Sequence, residues 1–284
     1  MEDLRGRRVV VTGASRGIGS VVAGELARAG AEVVLIARSP EALERVAAGL
    51  PGGPHRSLAI DVADEAAWRA HLPAVLGDGP LHGLVTAAGI LSPIGPVGTY
   101  AIEAFRRTLD VNVVGTLCAV TSCLAALRAE GGSIVTFSGG GATGPFARFD
   151  AYAASKAAVV RLTENLALEL APSHVRANAV APGFVMSEMH EETLAAGPEL
   201  VGAAYFERTR SALQSGGGDP PELAAELTAY LLSPRSAPIT GKLLSARWDP
   251  WREPEFQARL ASTPDLATLR RIDDQFFAAL PGKD

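Results

Sequence analysis

Short runs of β-branched and other apolar residues alternate along this chain with longer stretches in which apolar positions recur every three or four residues. The short runs, at 8–12, 33–37, 57–60, 84–87, 133–138 and 175–181, read as strands. The periodic stretches, near 18–30, 40–50, 64–76, 101–129, 151–171 and 221–233, read as helices. A seventh strand is expected near 242–245. Apolar strands that each lead into an amphipathic helix predict a parallel sheet covered on both faces. Right-handed crossovers then make it a doubly wound α/β fold. No repeat or long linker divides the chain, so a single domain is expected over residues 1–284. Two segments break the rhythm. Residues 185–219 form an insertion with three consecutive glycines near its end, and residues 248–284 form a tail after the last strand.

Composition removes several classes of function. Hydrophobic residues make up 48% of the 284 and charged residues only 20%, which suits one large buried core. The net charge of −5 and the lack of any Lys/Arg run argue against nucleic-acid or membrane-surface partners. The N-terminus has no apolar leader pattern, and no uncharged apolar run approaches the length of a membrane span, so a cytoplasmic protein is expected. Cys118 and Cys123 fall on different faces of one predicted helix, which suits a reducing compartment. The histidines at 55, 71, 82, 174 and 190 are scattered, so no metal site is expected.

Chemistry enters at the first strand-to-helix turn. Thr12-Gly-Ala-Ser-Arg-Gly-Ile-Gly19 puts glycines at 13, 17 and 19, with Ser15, Arg16 and Ile18 between them. Glycine lets backbone approach an anion, and the helix behind it offers free N–H groups. The end of the second strand then bears on the cofactor's ribose. A carboxylate there would bond the 2′-hydroxyl of NAD. This chain has Ala37, then Arg38 and Ser39. Arg38 and Arg16 can instead grip a 2′-phosphate through their planar forks, so NADP(H) is favoured over NAD(H). After the third strand, Asp61 and Val62 can hold an adenine, or Asp61 can simply cap the next helix.

Further on, Tyr152-x-x-x-Lys156 sets a phenol and an ammonium one helical turn apart on one face. A phenol with pKa about 10 is a poor proton donor or acceptor at neutral pH, and a neighbouring cation lowers that pKa. Only three of the 26 basic residues are lysines, Lys156 among them. Lysine, unlike arginine, can release its proton in a protein.

With Ala88-Gly89, Asn112, the 133–138 strand and Pro182-Gly183, these motifs resemble the short-chain dehydrogenase/reductase family over roughly residues 7–245. The resemblance implies a Rossmann-type sheet of about seven strands, a nicotinamide cofactor, hydride exchange with a carbonyl or alcohol carbon of a small molecule, and a homodimer or homotetramer. It implies Tyr152 as general acid or base, Lys156 as the group that tunes it and contacts the ribose, and Asn112 as the holder of a water in a proton route. Pro182, Gly183, Val185 and Ser187 would seat the nicotinamide and a phosphate.

Three features depart from the family pattern. Thr86-Ala87 replaces the usual asparagines. Gly139 stands where a serine usually precedes the tyrosine, with Ser138 one position earlier. The glycines after Ser138 can swing its hydroxyl into place; otherwise Ser138 caps backbone and Thr143 or a glycine-lined pocket compensates. The last strand runs into Trp248-Asp-Pro-Trp251 and a tail in place of the usual Asp-Gly-Gly. The 185–219 insertion is expected to be a lid. Met186, Met189, Tyr205 and Phe206, with Phe146 and Phe149 across the cleft, line the pocket or merely pack. Arg148 leaves an anionic substrate open. Two other readings remain: a non-catalytic NADP(H)-binding regulatory protein, and an epimerase or dehydratase that recycles its cofactor.

Overall fold

In the computed structural model, which describes residues 2–271, seven strands form one parallel sheet in the order β3-β2-β1-β4-β5-β6-β7. The strands are β1 (Arg8–Thr12), β2 (Glu32–Ala37), β3 (Arg56–Ala59), β4 (Gly83–Thr86), β5 (Ser133–Phe137), β6 (Arg176–Ala181) and β7 (Leu243–Ser245). Each lies within two residues of its expected span at either end. Strand alternation divides the core. Val9, Val11, Val33 and Leu35 face one layer, with Leu26 of α1 (Gly17–Arg28), Leu43 of α2 (Pro40–Gly49) and Leu231 of α9 (Pro221–Leu232). Val10, Val34 and Ile36 face the other, with Trp68 of α3 (Glu65–Leu76), Cys123 of α5 (Gly115–Arg128) and Leu166 of α6 (Asp150–Glu169). The strand order reverses between β1 and β4. The C-terminal ends of those two strands therefore open a crevice, the usual place for a ligand in such sheets.

The helix expected over 101–129 is not continuous. It runs as α4 (Ile102–Leu109), a π-helical turn at Asp110–Val114, and α5. One residue too many is accommodated in that turn, which re-aims the side chains on it. The stretch Ile102–Arg128 is long and apolar enough, by length and composition, to cross a membrane, contrary to the sequence expectation. Here Val111, Cys118, Val120 and Cys123 are instead buried against the sheet.

The 185–219 insertion holds α7 (Glu188–Val201) and α8 (Ala203–Ser215). The tail contains α10 (Pro254–Ser262) as far as it is described; residues 272–284 of the expected tail lie outside the described residues. Trp251 pins it: the indole donates to Ala246 O (3.3 Å) and its ring lies 5.7 Å from that of Tyr230. Trp248, by contrast, is 78% exposed. The buried Lys242 ammonium donates to three tail carbonyls, those of Thr263, Pro264 and Leu266, at 2.8–3.0 Å. Lys242→Met removes the donor shared by all three. It is expected to cost about 1–3 kcal/mol of stability, read as a lower urea midpoint with an unchanged slope.

Candidate active site and cofactor cleft

The crevice at the strand reversal is a cavity of about 540 Å³, within the size of small-molecule sites. Gly13, Ser15, Arg16, Gly17, Ile18 and Gly19 form its floor, and Ala88 and Gly89 line it from β4. A Cβ on Gly13 would lie 2.7 Å from the Ala88 backbone, and one on Gly19 would lie 2.7 Å from the Gly13 carbonyl carbon and nearer still to its oxygen. Gly13 also has φ +67°. This turn therefore folds as tightly as it does only with glycine at these positions. Arg16, at the N-cap of α1, gives no side-chain cap, which leaves the first N–H groups of the helix available to an anion. These residues fit the diphosphate of a dinucleotide.

Arg38 and Ser39 line the far end of the cleft. The Ser39 hydroxyl accepts from Ala42 N (3.3 Å), capping α2, and donates to Glu41 (3.1 Å). Asp61 and Val62 also line the cleft, and Asp61 is not a helix cap. Asp64 caps α3 through Ala67 N. Asp61 accepts from Ala63 N (2.9 Å) and pairs with Arg107 of α4 (2.5 Å). These partners, with Arg38 nearby, outweigh partial burial and hold its carboxyl below the usual range.

Sequence reasoning missed four charged cleft residues. Arg45 of α2 and Arg107 both line it. Arg45 sits four residues after Glu41, a spacing that reads as an ordinary surface pair. Glu188 and Glu192 also line it because α7 starts over the glycine turn. A Cβ built on Gly17 would lie 3.9 Å from Glu188 Oε2. Ser187 and Met189 line the cleft as well. Pro182, Gly183, Val185 and Met186 do not. Gly183 (φ +91°) instead abuts Asp219, whose carboxylate accepts from Phe184 N (2.7 Å).

At the inner end, Gly89 joins the cleft to a second set of residues. A Cβ there would lie 3.3 Å from Asn112 Oδ1 and 3.6 Å from Lys156 Nζ. Asn112 sits in the π-helical turn and is buried. Its Oδ1 accepts from Ile90 N (2.8 Å), and its Nδ2 donates to Ile90 O (3.0 Å) and Ser155 Oγ (2.9 Å). Both Nδ2 hydrogens are thereby used, and Oδ1 keeps one free lone pair. Lys156 Nζ donates to Phe137 O (2.9 Å) and lies 5.6 Å from the centre of the Tyr152 ring. Burial lowers its pKa to about 8. The Tyr152 phenol is pushed up, chiefly by burial and then by Tyr205. This is the opposite of the direction expected from the cation alone: desolvation of the phenolate outweighs an ammonium that is committed to a carbonyl.

A match to the family model for short chain dehydrogenases spans residues 7–197. The chain belongs to the short-chain dehydrogenase/reductase family. It is 36% identical over 192 residues to the 2,3-dihydro-2,3-dihydroxybenzoate dehydrogenase of Bacillus subtilis, covering 66% of this chain and 73% of that one. It is also 36% identical to the cis-4-hydroxycyclohexanecarboxylate dehydrogenase of Sinomonas cyclohexanicum, covering 84% and 94%. A solved NAD+-bound xylitol dehydrogenase superposes with a TM-score of 0.76 at 29% identity, over 86% of this chain and 98% of that one. As a short-chain dehydrogenase/reductase, this chain is an oxidoreductase of a family that acts on alcohols and carbonyls with a nicotinamide cofactor.

Gly139 takes the position where the family commonly has serine. A Cβ on it would lie 2.9 Å from Tyr152 Cζ, with the phenol oxygen nearer still. Ser138 is buried at the end of β5, with its N–H donating to Val180 O (2.9 Å). The glycine run thus gives the Tyr152 hydroxyl the volume that a side chain at 139 would fill.

Proposed function

We propose that the chain transfers a hydride between NADP(H) and a carbonyl or secondary-alcohol carbon of a small molecule, as one catalytic unit over its length. The observation that carries this reading is the meeting of Asn112, Lys156 and Gly89 at the inner end of the arginine-lined cleft, with Tyr152 beside them. The nicotinamide, when bound, supplies or accepts the hydride. Tyr152 gives the proton to the carbonyl oxygen, or takes it back in oxidation. A phenol held protonated by burial suits the donating direction. Ser138 orients the carbonyl oxygen. Asn112 holds the Ile90 backbone and Ser155 in register, and its spare lone pair can hold a water on the way from Lys156 to solvent. Ser187 lines the cleft and would bind a phosphate there, and Pro182, Gly183 and Val185 would seat the carboxamide. Val114, Leu117 and Leu168 are exposed apolar residues that a homodimer or homotetramer would cover.

The preference for NADP(H) rests on Arg16 and Arg38 with no acid at the end of β2. Arg38→Ala is expected to raise the Kd for NADPH about 10–100-fold, as for loss of a charged hydrogen bond. Its Kd for NADH should stay nearly unchanged. Equal losses for the two cofactors in fluorescence titrations would refute the preference.

Lys156 sets an expectation for pH. Below pH about 8 the ammonium is charged, and above it the amine is neutral. Reduction should therefore be level at lower pH and fall as pH rises through about 8. Lys156→Arg keeps its charge over this range. It should lower turnover throughout and remove that alkaline limb from the kcat profile, since guanidinium cannot relay a proton.

A further inference from the structure

The walls around Tyr152 narrow the substrate class, given the reading of Tyr152 as the reacting phenol. Tyr152 packs in an apolar cluster with Leu91, Ile94, Phe146, Phe149, Met189 and Tyr205. Phe146 and Phe149 stack face to face, with centroids 4.3 Å apart and planes 10° from parallel. Tyr205, on α8, meets both edge-on, at 5.0 Å and 5.3 Å. The glycine run makes room for this wall too. A Cβ on Gly140 would lie 3.1 Å from the Phe146 ring, so that ring lies directly on backbone.

Most polar side chains near this wall have partners of their own. Arg148, which the sequence left as a candidate for an anionic substrate, donates from Nη1 to the carbonyls of Glu199 (2.5 Å) and Leu200 (3.2 Å). Asp150 accepts from the Tyr100 hydroxyl at 2.8 Å. Glu192 accepts from Ser92 at 3.3 Å. Arg208 lies over the Phe184 ring at 4.5 Å, and His190 meets the same ring edge-on. Burial lowers the His190 pKa, so its imidazole is neutral at pH 7. A carboxylate or a row of hydroxyls brought against the stacked ring faces would lose water there, and the Arg208 guanidinium is spread over Phe184 rather than over these rings.

One side of the wall is carried on a helix flanked by glycines. Phe149 is fully buried, whereas Tyr205 is half-buried on a helix bounded by Gly202 (φ +90°) and Gly216 (φ +62°). Within α7, Gly197 (φ +79°) breaks the helix. Rotation at these glycines would carry Tyr205 outward and free an edge-to-face position against two rings, an arrangement that aromatic groups favour.

We infer that the substrate is an uncharged, ring-bearing apolar ketone or secondary alcohol. Its ring sits against the Phe146–Phe149 stack with Tyr205 closing over it, and its reacting carbon faces Tyr152. The dehydrogenases that this chain resembles include enzymes named for ring compounds and for an open-chain polyol, so similarity alone does not choose between these classes.

Three alcohols separate the possibilities: 1-phenylethanol, mandelate (the same ring with a carboxylate) and xylitol. Each is titrated calorimetrically into the full-length protein with NADP+ or NAD+ present and assayed in parallel as a substrate. The expected result is that 1-phenylethanol binds and is oxidised with kcat/KM about 100-fold above either of the others, in the range that pocket fit can supply. Phe146→Ala and Tyr205→Ala should each raise KM for 1-phenylethanol about 10-fold more than for xylitol, whereas Tyr205→Phe should not. Preference for xylitol or mandelate overturns the inference and leaves the proposed reaction standing. Selective binding of 1-phenylethanol with no turnover of any alcohol keeps the inference and overturns the proposed reaction. Failure of 1-phenylethanol to bind with either cofactor overturns the inference.

Discussion

Tyr152→Phe is expected to lower turnover about 10²–10⁴-fold, the range that a positioned proton donor contributes. The substitution removes one oxygen and keeps a ring, so packing against Phe149, Leu91 and Tyr205 survives. It also deletes a buried hydroxyl whose phenolate form is disfavoured, which gives no reason for the fold to weaken. The cofactor cleft lies on the other side of Gly89 and does not include Tyr152 among its walls. NADPH affinity should therefore stay within about twofold of wild type while kcat falls, the signature of an interaction made in the transition state. Steady-state kinetics beside NADPH titration decide the matter. Near-normal turnover in the variant would remove Tyr152 from the mechanism.

The second large effect runs against intuition. Gly139→Ser restores the residue that the family commonly has at this position, yet here it should damage the enzyme. The new Cβ would lie 2.9 Å from Tyr152 Cζ, and closer to the phenol oxygen. The ring has little freedom to yield, because Lys156, Leu91 and Phe149 surround it. Displacement of the phenol by about 1 Å is enough to cost on the order of 10²-fold in rate. Gly139→Ala should do nearly the same harm, since the clash arises at Cβ and not at the hydroxyl. Overpacking should also lower stability by about 1–3 kcal/mol. Measured kcat, thermal midpoint and NADPH affinity for both variants test this. A gain of activity in Gly139→Ser alone would mean that the phenol relocates freely and that a serine hydroxyl is wanted there.

Much of this site is legible in the chain because its parts are local. The glycines at 13, 17 and 19 announce a turn and an anion-binding helix start, since only their neighbours in sequence constrain them. The four-residue spacing of Tyr152 and Lys156 guarantees a shared helix face. Asn112 was legible as a residue type but not in its setting. A stretch from 101 to 129 with helical periodicity gives no sign that residues 110–114 widen into a π-helical turn. That turn accompanies the grip of Asn112 on Ile90, 22 residues away. The same limit hid the pairing of Asp61 with Arg107 across 46 residues and the capture of Arg148 by carbonyls 51 and 52 residues on. It hid the role of Lys242 as well, whose carbonyl partners lie on a tail that no periodicity links to β7.

By itself, the sequence determined the parallel sheet, the helices on both faces, the glycine turn and the phenol–ammonium pair. Alternation and helical period report which face of each element is buried, and such burial is decided within a few residues. Tertiary structure alone decided what faces Tyr152. It set the phenol into the space left by Gly139, turned Lys156 toward the Phe137 carbonyl, brought Glu188 and Glu192 of α7 over the cleft, and stacked Phe146 on Phe149 beneath Tyr205. These arrangements depend on strand order and on how distant helices pack. Burial of a charge or ring is a property of all its neighbours at once, which is why the Tyr152 phenol is driven upward although its nearest cation in sequence would drive it down.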